Sequence, residues 1–168
     1  SKAGTDITIT LPISKTTLNG SQSSDADGEI STYLWTKVSG PSDFAIVSTN
    51  SSTTEVNNLV EGTYVFKLKV TDNKGATSED QVTVKVNPAP TVNAGVALLA
   101  ICQGGTSAAL GGSFAGGATG AVWSDGGAGG SFTSNDGNAP NTSIYKPDPS
   151  FIGTVTLTLT TNGGSCGT

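Results

Sequence analysis

A chain of 168 residues with only 12 % charged side chains and a net charge of −5 has room for one large or two small domains, and it offers nucleic acid or an anionic membrane no basic surface. It contains no His, no Met and no Arg, so the commonest general base and the commonest zinc ligand are missing; most hydrolase triads and zinc enzymes are excluded on that ground. No apolar run approaches the length that would span a bilayer.

In chain order, the first signal is "DITITL" (6–11), which puts Ile7, Ile9 and Leu11 on one face of a strand. "SSDADGEI" (23–30) follows, with Asp25 and Asp27 one residue apart and Gly28 directly after them. Three readings of this stretch stay open. It can be a tight turn, since Asp side chains cap local N–H groups and Gly accepts positive φ. It can supply oxygens to a metal, or act as a catalytic carboxylate pair. The catalytic reading fits poorly, because paired carboxylates work across a cleft from different elements. An EF-hand is excluded: counted from Asp25, position six is Ile30 rather than Gly and position twelve is Thr36 rather than Glu.

"YLWTKV" (33–38) aligns Tyr33 with Trp35, which is expected in the core. "TYVFKLKV" (63–70) aligns Tyr64, Phe66, Leu68 and Val70 against Lys67 and Lys69, and "QVTVKV" (81–86) aligns three valines. This period-two alternation predicts half-buried antiparallel strands, separated by the turns "SGPSD", "VEG" and "TDNKG". No segment keeps a helical period. "NPAP" (87–90) cannot continue a sheet interior and reads as a short stiff link. Six of the 23 glycines and seven of the eight lysines precede residue 89. Two domains are therefore expected, 1–88 and 89–168.

The second half repeats the first. "AG" at 3–4 recurs at 94–95, Trp35 is answered by Trp123, and "GTYVFKLKVTD" (62–72) by "GTVTLTLTTN" (153–162). Only six residues follow Asn162, so the second copy is expected to lack its final strand, leaving an edge open to strand addition from a neighbour. The fold class is thus all-β: two tandem β-sandwiches, the second without its last strand. Cys102 and Cys166 are expected to form a disulfide in an oxidising compartment, the alternative being two separate thiols. The bridge would stabilise the glycine-rich second domain by roughly 4 kcal/mol in the chain-entropy account.

"SSDADGEISTYLWTKVSGP" (23–41) with "GTYVFKLKVTDNKGATSEDQVTVKV" (62–86) resembles the PKD domain, an immunoglobulin-like sandwich common in secreted and surface proteins of bacteria. The second half is similar to related repeats of large bacterial surface proteins. The resemblance implies a non-catalytic spacer or adhesion-type module of a larger secreted or cell-surface bacterial protein, with protein or polysaccharide partners. The alternative is a carbohydrate-binding accessory module of a polysaccharide-degrading enzyme. Some PKD domains bind calcium near the domain start, and the positions that correspond here are Asp25, Asp27 and Asp72.

Overall fold

The computed structural model describes residues 1–162, which form thirteen strands and no helix. No helix is therefore long and apolar enough to cross a membrane among these residues. The chain divides into two compact units, the first ending at Pro88 and the second beginning at Ala89.

The first unit holds β1 (Ile7–Thr10), β2 (Thr16–Asn19), β3 (Ile30–Ser39), β4 (Ala45–Ile46), β5 (Thr53–Asn57), β6 (Gly62–Asp72) and β7 (Thr77–Asn87). One sheet runs β1-β7-β6-β3 and the other β2-β5-β4. The alternation in β6 sends Tyr64, Phe66, Leu68 and Val70 inward, where all four are buried; Val82, Val84 and Val86 of β7 do the same. Trp35, Leu18, Val56, Leu59 and Ala3 complete this core. The Tyr64 ring stacks on Phe66, and its hydroxyl donates to the Asp43 carbonyl (2.8 Å) while accepting from the Val60 N–H (3.0 Å), which pins the turn into β6. One pairing departs from the all-antiparallel expectation. β1 lies parallel to β7, Ile7 opposite Val84 and Thr10 opposite Asn87, because β1 belongs to this sheet while the next strand, β2, belongs to the other.

The second unit holds β8 (Thr91–Asn93), β9 (Ser113–Ala115), β10 (Gly120–Ser124), β11 (Ser131–Phe132), β12 (Tyr145–Lys146) and β13 (Thr158–Asn162). β10 pairs with β13, β11 with β12, and β8 with β9, all antiparallel. Residues 107–111 lie against 141–145 through bonds from Ser107, Leu110 and Gly111 N–H to the carbonyls of Tyr145, Ser143 and Asn141. That three-ribbon layer repeats the β2-β5-β4 order of the first unit. Its buried core is Leu110, Ala121, Trp123, Tyr145 and Leu159, against twelve residues in the first unit, so less apolar burial offsets the ordering of its glycines.

The alternating strand expected over 153–162 forms only from Thr158 onward. The first unit shows why. There, Gly62–Phe66 pair with Val82–Val86 of β7, and β3 reaches back only to Val65. The second unit has no counterpart of β7 among its described residues, so residues 153–157 have no partner on that edge. The expected absence of a final strand concerns residues 163–168, which lie outside the described residues.

Candidate functional site

The two acidic turns of the first unit meet. Residues 23–29 lead into β3, and Asp72–Ala76 join β6 to β7. Asn73 ties them together: its N–H donates to the Glu29 carbonyl (3.0 Å), and its side-chain Oδ1 accepts from the Glu29 N–H (3.5 Å). The three aspartates that the family resemblance singled out have three different jobs. Asp72 caps its own turn, its Oδ1 accepting from the N–H groups of Lys74 (2.8 Å) and Ala76 (2.9 Å). Asp27 is exposed and pairs with Lys74, whose ammonium also donates to the Asp27 carbonyl (3.0 Å). Asp25 is half-buried, and its Oδ2 is shut from solvent with no hydrogen-bond partner.

Gly28 explains how these groups fit. It does not adopt the positive φ expected of it; the structure needs it to be small instead. A Cβ at this position would stand 2.3 Å from Asn73 Oδ1 and 2.7 Å from Asp25 Oδ2. A carboxylate oxygen and an amide oxygen therefore both crowd the face of Gly28, which leaves no room for a side chain there. Both are hard oxygens of the kind calcium takes, and that of Asp25 has no hydrogen-bond partner. The set is small: among the described residues no three His, Cys, Asp or Glu side chains come together to hold a metal. Asn73 escaped the sequence reading because its part depends on two loops meeting, which no local spacing encodes.

A second acidic cluster, in the other unit, also escaped it. Asp125 opens the turn "DGGAGG" and accepts from Gly127 N–H (3.0 Å), Gly130 N–H (2.8 Å) and the Tyr145 hydroxyl (3.1 Å). The Gly130 N–H above all, then Gly127 and Tyr145, hold its carboxyl below the usual carboxylate range. Burial first, then Asp125, pushes the Tyr145 hydroxyl above its ordinary value. The reach from Asp125 to Tyr145 is tertiary, and no local spacing announces it.

Every aromatic ring is buried or half-buried, so the surface carries no planar aromatic strip for stacking on sugars. Trp35 and Trp123 are both core, as expected. Cys102 is exposed; Cys166 lies outside the described residues.

The family model for the K319L-like PKD domain matches residues 3–86. The mouse dyslexia-associated protein KIAA0319-like protein is 44 % identical over 92 residues, 53 % of this chain and 9 % of that protein. The mouse low-density lipoprotein receptor-related protein 11 is 42 % identical over 91 residues, 54 % of this chain and 19 % of that protein. The chain thus spans under a fifth of the length of these curated relatives. Extracellular domains 3–5 of Drosophila OTK superpose with a TM-score of 0.51 at 12 % identity, over 97 % of this chain and 56 % of that one; this likeness shows the fold. The family match ends at residue 86, the relatives are mammalian, and the bacterial repeat expected for the second half finds no support in them. Through residues 3–86, with the converging turns of Asp25 and Asn73 and a core built on Trp35 and Tyr64, the chain belongs to the K319L-like PKD domain family.

Proposed function

We propose that the chain is a non-catalytic structural and interaction segment, of spacer or adhesion type, within a larger secreted or cell-surface protein. The observation that carries this reading is the employment of the acidic side chains: Asp72, Asp27 and Asp125 are spent on turns and on Lys74, rather than aimed together into a cleft. Membership of the PKD family supports it, as does a relative whose name places it among receptor-related proteins. A bacterial parent, implied only by the resemblance of the two halves to domains of bacterial surface proteins, belongs to the same proposal and is checked by the remaining reading frame.

Calcium is part of the reading in reduced form. Asp25 and Asn73 would supply oxygens to the ion, with Asp72 close in sequence; Asp27 is engaged by Lys74 and is not needed. The ion would tie the two turns together.

The rival is a carbohydrate-binding module. Incubating the chain with insoluble cellulose, chitin and xylan separates the two. The protein is expected to stay in the supernatant, and saturable depletion by any of the three would replace the spacer reading with the rival.

A further inference from the structure

Three steps in the described residues join an aspartate to a glycine: Asp27–Gly28, Asp125–Gly126 and Asp136–Gly137. Their intrinsic chemistry is the same. The glycine nitrogen can attack the side-chain carboxyl of the aspartate before it, and a glycine, with no Cβ, lets the backbone turn far enough for that approach. The attack needs two freedoms. The glycine N–H must be unbonded, and the carboxyl must be able to swing towards it.

The two steps of the second unit lack one freedom or both. At Asp125–Gly126 the glycine N–H donates to Ser124 Oγ (3.2 Å), and both carboxylate oxygens are held, Oδ1 by the Gly127 N–H and Oδ2 by the Gly130 N–H and the Tyr145 hydroxyl. At Asp136–Gly137 the carboxylate accepts from the Asn138 N–H (3.0 Å). That turn is also fastened on both sides of the step. The Gly137 carbonyl accepts from the Ala121 N–H (2.9 Å), and the Asn135 side chain bonds the N–H (2.6 Å) and the carbonyl (2.7 Å) of Trp123. The related Asn19–Gly20 step of the first unit is closed too, since Gly20 is buried and donates its N–H to the Ser52 carbonyl (2.7 Å).

Asp27–Gly28 is open. No backbone N–H from Ser24 to Gly28 has a hydrogen-bond partner among the described residues. Both residues of the step are exposed. The Asp27 carboxylate has one tie, the ion pair with Lys74, and at 72 % and 55 % side-chain exposure such a pair holds weakly.

We infer that Asp27 is a site of spontaneous backbone isomerisation to isoaspartate. The Gly28 nitrogen gives up its proton and bonds to Asp27 Cγ. One carboxylate oxygen leaves as water, carrying that proton and one from solvent, and a cyclic imide remains. Water then adds to the former main-chain carbonyl, whose bond to the nitrogen breaks. The nitrogen regains a proton, the carbonyl becomes a carboxylate, and a proton returns to solvent. No atom is gained or lost, but the main chain now runs through Cβ and Cγ and is one carbon longer. The new carboxylate sits directly on Cα, drawn back from Lys74, and the turn that leads from Asp25 to Glu29 is lengthened.

The intact chain is kept in neutral buffer for several weeks, folded or in urea, and its peptides are assayed at intervals for isoaspartate by enzymatic methyl transfer to that group. In the folded chain the Asp27 peptide should gain isoaspartate about tenfold or more faster than the Asp125 and Asp136 peptides, the order set by breaking one or two hydrogen bonds. In urea the three rates should come within about threefold of one another, because the fold no longer separates them. Asp27→Glu, whose longer side chain closes the ring poorly, should remove the signal from its peptide. Equal rates in the folded chain, or a faster rate at either other step, overturn the proposal. So does the same tenfold ranking in urea, which would trace it to neighbouring residues rather than to the fold. A signal that survives Asp27→Glu would assign the reaction to Asp25 and also overturn it. None of these outcomes touches the spacer reading, which the polysaccharide experiment decides.

Discussion

Trp35 and Trp123 occupy the same place in their two units. Each faces a leucine across its sheet, Leu68 or Leu159. Each donates its ring N–H to a backbone carbonyl, Trp35 to Ser51 (3.0 Å) and Trp123 to Pro140 (2.9 Å). Each lies against a glycine that leaves it no spare room. A Cβ on Gly20 would meet Leu68 Cδ2 at 2.4 Å and Trp35 Cζ2 at 3.2 Å; one on Gly112 would meet Trp123 Cζ2 at 2.6 Å and Leu159 Cδ2 at 2.8 Å.

Gly20→Ala and Gly112→Ala should therefore both destabilise, each by about 1–3 kcal/mol, the usual cost of overpacking a core. Urea denaturation followed by Trp fluorescence measures this for each variant. A loss under about 0.5 kcal/mol in either, the range of an ordinary surface change, would mean that the pocket around that indole yields readily.

For calcium, titration calorimetry on the wild type should show heat that vanishes in Asp25→Ala and in Asn73→Ala but persists in Asp27→Ala. No heat in the wild type removes the ion. Loss of heat in Asp27→Ala as well would restore the original trio of aspartates in place of the Asp25–Asn73 pair.

The carboxyl of Asp125 lies below its ordinary value near 3.8, as do those of Asp136, held chiefly by the Asn138 N–H, and Asp148, held chiefly by the Ser150 side chain. A depressed folded value means that the unfolded chain binds protons first as pH falls. The stability these groups lend is thus full above the ordinary carboxylate range and is lost as pH drops through their lowered values. Thermal melts of the second unit should fall in midpoint below about pH 4. Asp125→Asn should flatten part of that fall; an unchanged profile would show that Asp125 does not contribute.

The pairing of Cys102 with Cys166 remains a proposal. The chain unfolded without reductant should give no reaction with a thiol reagent, and reduction should lower the stability of the second unit by roughly 4 kcal/mol. Two reactive thiols in the unreduced chain would refute the bridge.

Much of the first unit was legible in the sequence, because β6 and β7 bury one face only and so alternate strictly. β2, β4 and β5 were missed: they are four, two and five residues long and each carries too few large apolar side chains for a period to show. The parallel placement of β1 was also out of reach, since alternation says which face is buried and nothing of strand direction. At the site, the Asp-rich turn was visible but its division of labour was not. Asp25 and Asp27 look equivalent in sequence; only Lys74, arriving from another loop, separates them. In the second unit, residues 153–157 alternate like a strand and are not one, because a strand needs a neighbour as well as a pattern.

The parallel alignment of β1 with β7 has a mechanical consequence. Tension applied between Ile7 and Asn87 would slide the two strands past each other along their length. The ladder from Ile7 to Thr10 then carries the load sideways and together, rather than opening one bond at a time from an end. The first unit is built to be pulled from its two ends.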